Sequence, residues 1–234
     1  MRARSELANL VVEFIGVFTL VFAGAGAIIA TKGENLVAIA LAHGLAIGLM
    51  VAAAGHVSGG VFNPAIALAL MATGKVPPVR GALFIVAELL GGIAGALALK
   101  GVYPAAAVDA VKLGTPLPGA GFSAGQALLA EIVLTFFLMF VIFGVAIDKR
   151  GPATIAGLAI GLTITMDIFA GGAVSGAAMN PARSFGPALV QGVWQDAWIY
   201  WIGPIVGALL AAVLYNYLLL DQAPAKEAVD LPQQ

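Results

Sequence analysis

Ser58-Gly59-Gly60-Val61-Phe62-Asn63-Pro64-Ala65 and Ser175-Gly176-Ala177-Ala178-Met179-Asn180-Pro181-Ala182 carry one pattern twice, Ser-Gly followed at the same spacing by Asn-Pro-Ala. Asn is among the strongest N-cap residues and Pro is favoured at the first helical position, so each Asn-Pro pair reads as the start of a helix. Both starts lie inside apolar sequence. The first sits within forty residues between Glu34 and Lys75 that hold no formal charge. That is too long for one crossing of about 20 residues and too short for two crossings and a loop. The run divides into a full helix near 36–54 and an apolar piece at 63–71, too short to span. Backbone turns back within a bilayer only where protein buries it or a wet cavity solvates it. A re-entrant half-helix is therefore predicted here and, by the same pattern, within 171–191.

Composition supports a membrane setting. Of 234 residues, 61% are hydrophobic and 10% charged, against about 45–50% and 25% in soluble domains. Eleven Lys and Arg balance twelve Asp and Glu, so no strong field exists to attract nucleic acid. With no Cys and only two His, neither a disulfide framework nor a metal site is expected. No cofactor is implied.

Further spans are predicted near 10–30, 81–99, 124–147, 153–170 and 197–220. The result is an all-α membrane protein of six transmembrane helices and two re-entrant half-helices. We read residues 1–234 as one transmembrane domain, with repeats at about 8–100 and 124–220, a linker at 101–123 and a soluble tail at 221–234. Glu13 on the first helix answers Glu131 on the fourth. Gly44-Leu45-Ala46-Ile47-Gly48 recurs letter for letter as Gly157-Leu158-Ala159-Ile160-Gly161. Three spans per half make the repeat inverted, an architecture of membrane transport proteins. With both termini cytoplasmic, Arg2, Arg4, Lys75, Arg80, Lys149, Arg150 and Lys226 face inward, against Lys32, Lys100 and Lys112 outside. The positive-inside rule favours that orientation.

Two helix starts meeting at the midplane bring partial positive charge and free N–H groups, and each Asn amide adds an N–H. Neutral oxygen-bearing solutes are stabilised there and cations are not. Arg183, just inside the second half-helix, is electrostatically disfavoured by the same dipole, so a functional role explains it better than pairing with a loop carbonyl alone. No acid flanks the interrupted segments, which favours passive conduction over coupled transport. No nucleophile-base or paired-acid constellation points to an enzyme.

Gly55-His56-Val57-Ser58-Gly59-Gly60-Val61-Phe62-Asn63-Pro64-Ala65 and Asn180-Pro181-Ala182-Arg183-Ser184-Phe185-Gly186-Pro187 resemble the two signature loops of the aquaporin, or major intrinsic protein, family. The resemblance extends from Glu13 to about Tyr217. It implies an aquaporin-like fold, a homotetramer with one pore per subunit, and a midplane formed by Asn63, Pro64, Ala65, Asn180, Pro181 and Ala182. Arg183, His43, Ile168 and Ala177 correspond to the outer constriction, a combination similar to plant tonoplast intrinsic proteins, which include ammonia-permeable water channels. Arginine and half-helix dipoles are the general electrostatic barriers of aquaporin-type pores. The expected function is passive passage of water and ammonia across the cell membrane, with ions and protons excluded. Glycerol conduction is the alternative, set back by Ser184, Ala188, Tyr200 and Trp201, which resemble the water-channel pattern. Glu13 and Glu131 correspond to glutamates that hold the re-entrant loops. The chain departs from the family at Val61, Ala67 and Glu88, usually His, Thr and Gln. Asp167 has no counterpart and is expected to face a neighbouring helix or subunit. Gly44/Gly48 and Gly157/Gly161 have the spacing of close helix crossings.

Overall fold

Residues 3–220 are described in a computed structural model, without the side chains of Ala3 and Arg4; Arg2 and the predicted soluble tail at 221–234 with Lys226 lie outside the described residues. Six helices are long and apolar enough to cross a bilayer. They are α1 (Ala3–Ala30), α2 (Leu36–Ser58), α4 (Pro78–Val102), α6 (Ala124–Ile142), α7 (Ala156–Ser175) and α9 (Ile199–Leu214). The short helices α3 (Pro64–Ala72) and α8 (Pro181–Gln191) are the two half-helices, and no strand occurs among the described residues.

Local chemistry explains several ends. Asn35 caps α2 by accepting from the Ala38 N–H at 3.0 Å. Ser123 and Gln126 close a reciprocal capping box on α6, which satisfies donors a helix start leaves free. Gly59 (φ 104°) and Gly176 (φ 84°) end α2 and α7 in the left-handed conformation, where the absence of a Cβ removes the clash. Both α6 and α9 finish in one wide π turn, Phe143–Ile147 and Tyr215–Leu219.

The packing follows the repeat. Helix α1 lies against α4 as α6 lies against α9, while α2 crosses α7 at the centre. Each half-helix docks on an outer helix of the opposite half, α3 on α9 and α8 on α4. At the α2–α7 crossing, a Cβ on Gly48 would strike the Gly157 carbonyl, and one on Gly161 would strike the Gly44 carbonyl. The small residues therefore set the approach, as their spacing predicts. The repeated pentapeptide is separated by 113 residues and the Asn-Pro-Ala pair by 117. The pentapeptides thus stand about one helical turn out of register with the loops. Their identity reflects the contact they make with each other.

Helix ends depart from the predicted limits, since α1, α2, α4 and α7 run beyond them by several residues. Apolar runs mark the hydrocarbon layer, whereas a helix continues as far as its backbone bonds are satisfied. The predicted linker is structured: it holds α5 (Ala105–Ala110) and a tight turn at Lys112–Gly114 that packs on α1 and α8.

Candidate functional site

Two buried carboxylates shape the interrupted segments. Glu13 Oε1 accepts from Ser58 Oγ at 2.6 Å and the Val61 N–H at 3.1 Å, and its Oε2 accepts from the Phe62 N–H at 2.6 Å. In the other half, Glu131 Oε1 accepts from Ser175 Oγ at 2.7 Å and the Ala178 N–H at 2.8 Å, and its Oε2 accepts from the Met179 N–H at 2.7 Å. Both glutamates are fully buried. A carboxylate meeting three donors satisfies backbone that lipid could not.

These bonds hold Phe62 (φ 50°) and Met179 (φ 52°) in left-handed geometry, which costs a non-glycine residue about 1–3 kcal/mol. The two carbonyls receive the opposite loop's asparagine: Asn180 Nδ2 donates to Phe62 O and Asn63 Nδ2 to Met179 O, both at 2.8 Å. Asn63 Oδ1 caps α3 through the Ala65 N–H at 3.0 Å, and Asn180 Oδ1 caps α8 through Ala182 and Arg183 at 2.9 and 3.2 Å. Each side-chain amide has two N–H groups. One of them joins the loops.

A cavity of about 280 Å³ has Lys75, Arg80, Asn63, Asn180, His43, Ile168 and Ala177 in its lining. Arg183 reaches one of these residues, His43. Its Nη1 donates to Gly114 O at 2.8 Å, and its Nη2 lies 3.3 Å from His43 Nε2. The other ring nitrogen, Nδ1, lies 2.8 Å from Ile39 O. A carbonyl only accepts, so the bonding assigns the proton to Nδ1 and leaves Nε2 to accept from Arg183. Thus His43, Ile168 and Ala177 line the cavity with Arg183 in contact with His43, and of the six Asn-Pro-Ala residues Asn63 and Asn180 line it.

Sequence reasoning missed the Gly114 carbonyl, because a backbone acceptor in a Gly- and Pro-rich linker has no side-chain signature. The loop-carbonyl pairing set against a functional Arg183 is present alongside its contact with His43. Asp167 is fully buried and does not face outward toward a subunit, which corrects that part of the expectation. One and two turns further on the same face, Gly171 abuts Leu134 and Ser175 bonds Glu131, so this face of α7 is turned to α6. Neither Asp167 oxygen has a hydrogen-bond partner among the described residues. Tyr200 donates to Ser175 O at 2.7 Å and Ser184 to Pro181 O at 2.9 Å, so both brace the second loop. Trp201 stacks edge-on with Phe185, ring centres 6.1 Å apart.

Six spans, two half-helices meeting tip to tip and a cavity through their junction define a membrane channel of the inverted-repeat kind. The model of the family described as Major intrinsic protein matches residues 1–215, and the chain belongs to that family. It is 42% identical over 231 residues to "Aquaporin TIP4-4" of Zea mays, covering 94% of this chain and 88% of the relative. It is 40% identical over 227 residues to "Probable aquaporin NIP-type" of Nicotiana alata, covering 94% and 81%. The solved aquaglyceroporin of Plasmodium falciparum shares the fold with a TM-score of 0.81 at 24% identity, over 91% of this chain and 96% of that one. The protein is therefore an integral multi-pass membrane channel and not an enzyme.

Proposed function

We propose that the chain is a single-domain passive channel that conducts water and ammonia and excludes ions and protons. In this reading Asn63 and Asn180, with Pro64, Ala65, Pro181 and Ala182, form the midplane, and His43, Ile168, Ala177 and Arg183 select the solute. The observation that carries it is the contact of Arg183 with His43, which lines the cavity together with the apolar Ile168 and the small Ala177. The guanidinium repels cations and offers N–H groups to a solute oxygen or nitrogen. The isoleucine side chain offers no donor, which lowers the penalty for a solute with few hydrogen bonds. Glu13 and Glu131 support the loops. We place the channel in the cell membrane as a homotetramer, with both termini cytoplasmic.

Stopped-flow light scattering of vesicles holding the purified protein tests this. Shrinkage much faster than in empty vesicles, with a low temperature dependence, is expected after an osmotic jump with an impermeant solute. Equal rates despite an inserted, folded protein would defeat the water reading. A glycerol facilitator is the second reading, favoured by the wall of Ile160, Ile164 and Ile168 along the cavity, which suits an alkyl backbone. Glycerol uptake as fast as that of a known glycerol channel would put it first.

A further inference from the structure

The two loop-holding glutamates have different surroundings. Glu131 feels the positive charge of Arg183. At the 117-residue separation of the loops, the position matching Arg183 is Ile66, and no cation is among the groups that bond Glu13. It has a second acid instead. Glu88 of α4 is fully buried, and its Oε1 accepts from the Asn63 N–H at 2.9 Å, the backbone donor next to the Phe62 N–H that Glu13 Oε2 holds at 2.6 Å.

Two carboxyls buried on adjacent backbone donors, with no cation bonded to either, do not both ionise, and one proton stays on the pair. The donors around the pair indicate which one carries it. Glu13 already accepts from Ser58, Val61 and Phe62, as an ionised carboxylate does. Glu88 accepts once, and its Oε2 meets no donor among the described residues. The groups that bond the pair from α2 and the loop are Ser58, Val61, Phe62 and Asn63, with no Lys, Arg or His among them. We propose that Glu88 is a positioning residue for Asn63, acting as the neutral acid of a Glu88–Glu13 pair that holds one proton. The Glu88 O–H donates to Glu13, and its carbonyl oxygen keeps the Asn63 N–H in place at the start of α3. A proton thereby replaces, in the first half, the cation that Arg183 supplies in the second.

The functional arm rests on the channel reading above, whereas the spectroscopic arm does not. Infrared spectra of the purified full chain in vesicles at neutral pH are compared for wild type and Glu88→Gln. A protonated-carboxyl C=O band present in wild type and lost in Glu88→Gln is expected; no lost band overturns the proposal, because the pair would then be doubly ionised. Water permeability of the same vesicles is the second readout. In Glu88→Gln the amide oxygen still accepts from Asn63 and its NH2 donates to Glu13, so permeability within twofold of wild type is expected. Glu88→Leu leaves the Asn63 N–H without an acceptor, and a loss of at least about fivefold is expected. If Gln proves as damaging as Leu, the neutral-acid role is wrong. Absence of water flux in wild type with the band present would count against the channel reading alone.

Discussion

His43 and Arg183 face each other across 3.3 Å, with the imidazole Nε2 turned to the guanidinium Nη2 and the ring held from behind by Ile39 O at 2.8 Å. A histidine so placed accepts from a cation and directs that cation toward the cavity end. A proton added to Nε2 would set two positive charges in contact. Arg183 is thus the fixed charge beside His43, and its removal should be felt first by ions.

Arg183→Val should raise proton and cation leak by about tenfold or more while water still passes, since tenfold corresponds to only about 1.4 kcal/mol of lost barrier. Dye-reported proton flux in voltage-clamped vesicles, beside osmotic water permeability, is the check. An unchanged leak in a folded channel would remove Arg183 from ion exclusion.

Ile168 supplies an apolar side where a donor would favour water. Ile168→His should reduce the ratio of ammonia to water permeability by about tenfold, the scale of one hydrogen bond mismatched against the solute. Internal alkalinisation after an ammonium jump measures one flux and stopped-flow shrinkage the other.

Glu131 accepts three hydrogen bonds from the second loop. Glu131→Gln turns one acceptor into an NH2 that faces donors, and the loss should be about 2–4 kcal/mol, allowing for bonds to a charged group. Thermal unfolding in detergent should show a clear drop in Tm. A Tm equal to wild type would mean that the loop is held by other contacts.

Gly161 meets the Gly44 carbonyl and the Gly48 backbone at the α2–α7 crossing. Gly161→Val inserts a branched side chain into that contact and should cost about 1–3 kcal/mol, read as lower thermal stability. Leu158, about one turn away and exposed, should accept Val with little change and serves as the control.

Outside the spans, Asp148 bonds the Arg150 side chain, which holds its carboxyl down at about 2. Arg150 also donates to Leu219 O at 2.6 Å, and Tyr215 donates to Asp148 at 3.3 Å. This ties the loop after α6 to the end of α9. Because the folded value is depressed, the latch contributes fully above the ordinary value of 3.8 and is lost as pH falls through about 2. Thermal scans of wild type and Asp148→Asn should therefore differ near neutral pH and converge in strong acid; a constant difference would contradict the latch.

Much of the architecture was legible because membrane burial imposes simple rules on sequence. Charge-free lengths located six spans, and the paired Asn-Pro located both half-helices to within a residue or two. Those pairs, with Glu13, Glu131 and Arg183, also pointed to the cavity through chemistry that depends on residue type. The spans' outer turns were less legible, since solvated helix carries no hydropathy signal. The exact pentapeptide match suggested register but belonged to a helix crossing.

By itself the sequence determined the number of crossings, the inversion of the repeat and the place of the two helix starts. Each follows from apolar length, charge spacing and capping preferences, which act over a few neighbouring residues. Only the tertiary structure decided that each asparagine locks the opposite loop, that Gly114 lends Arg183 its carbonyl, and that Glu88 and Glu13 take neighbouring loop N–H groups. Those bonds join atoms separated by 69 to 118 residues in the first two cases, and many use backbone groups common to every residue. A carbonyl gains its role from where folding points it, and no side chain in the sequence announces that direction.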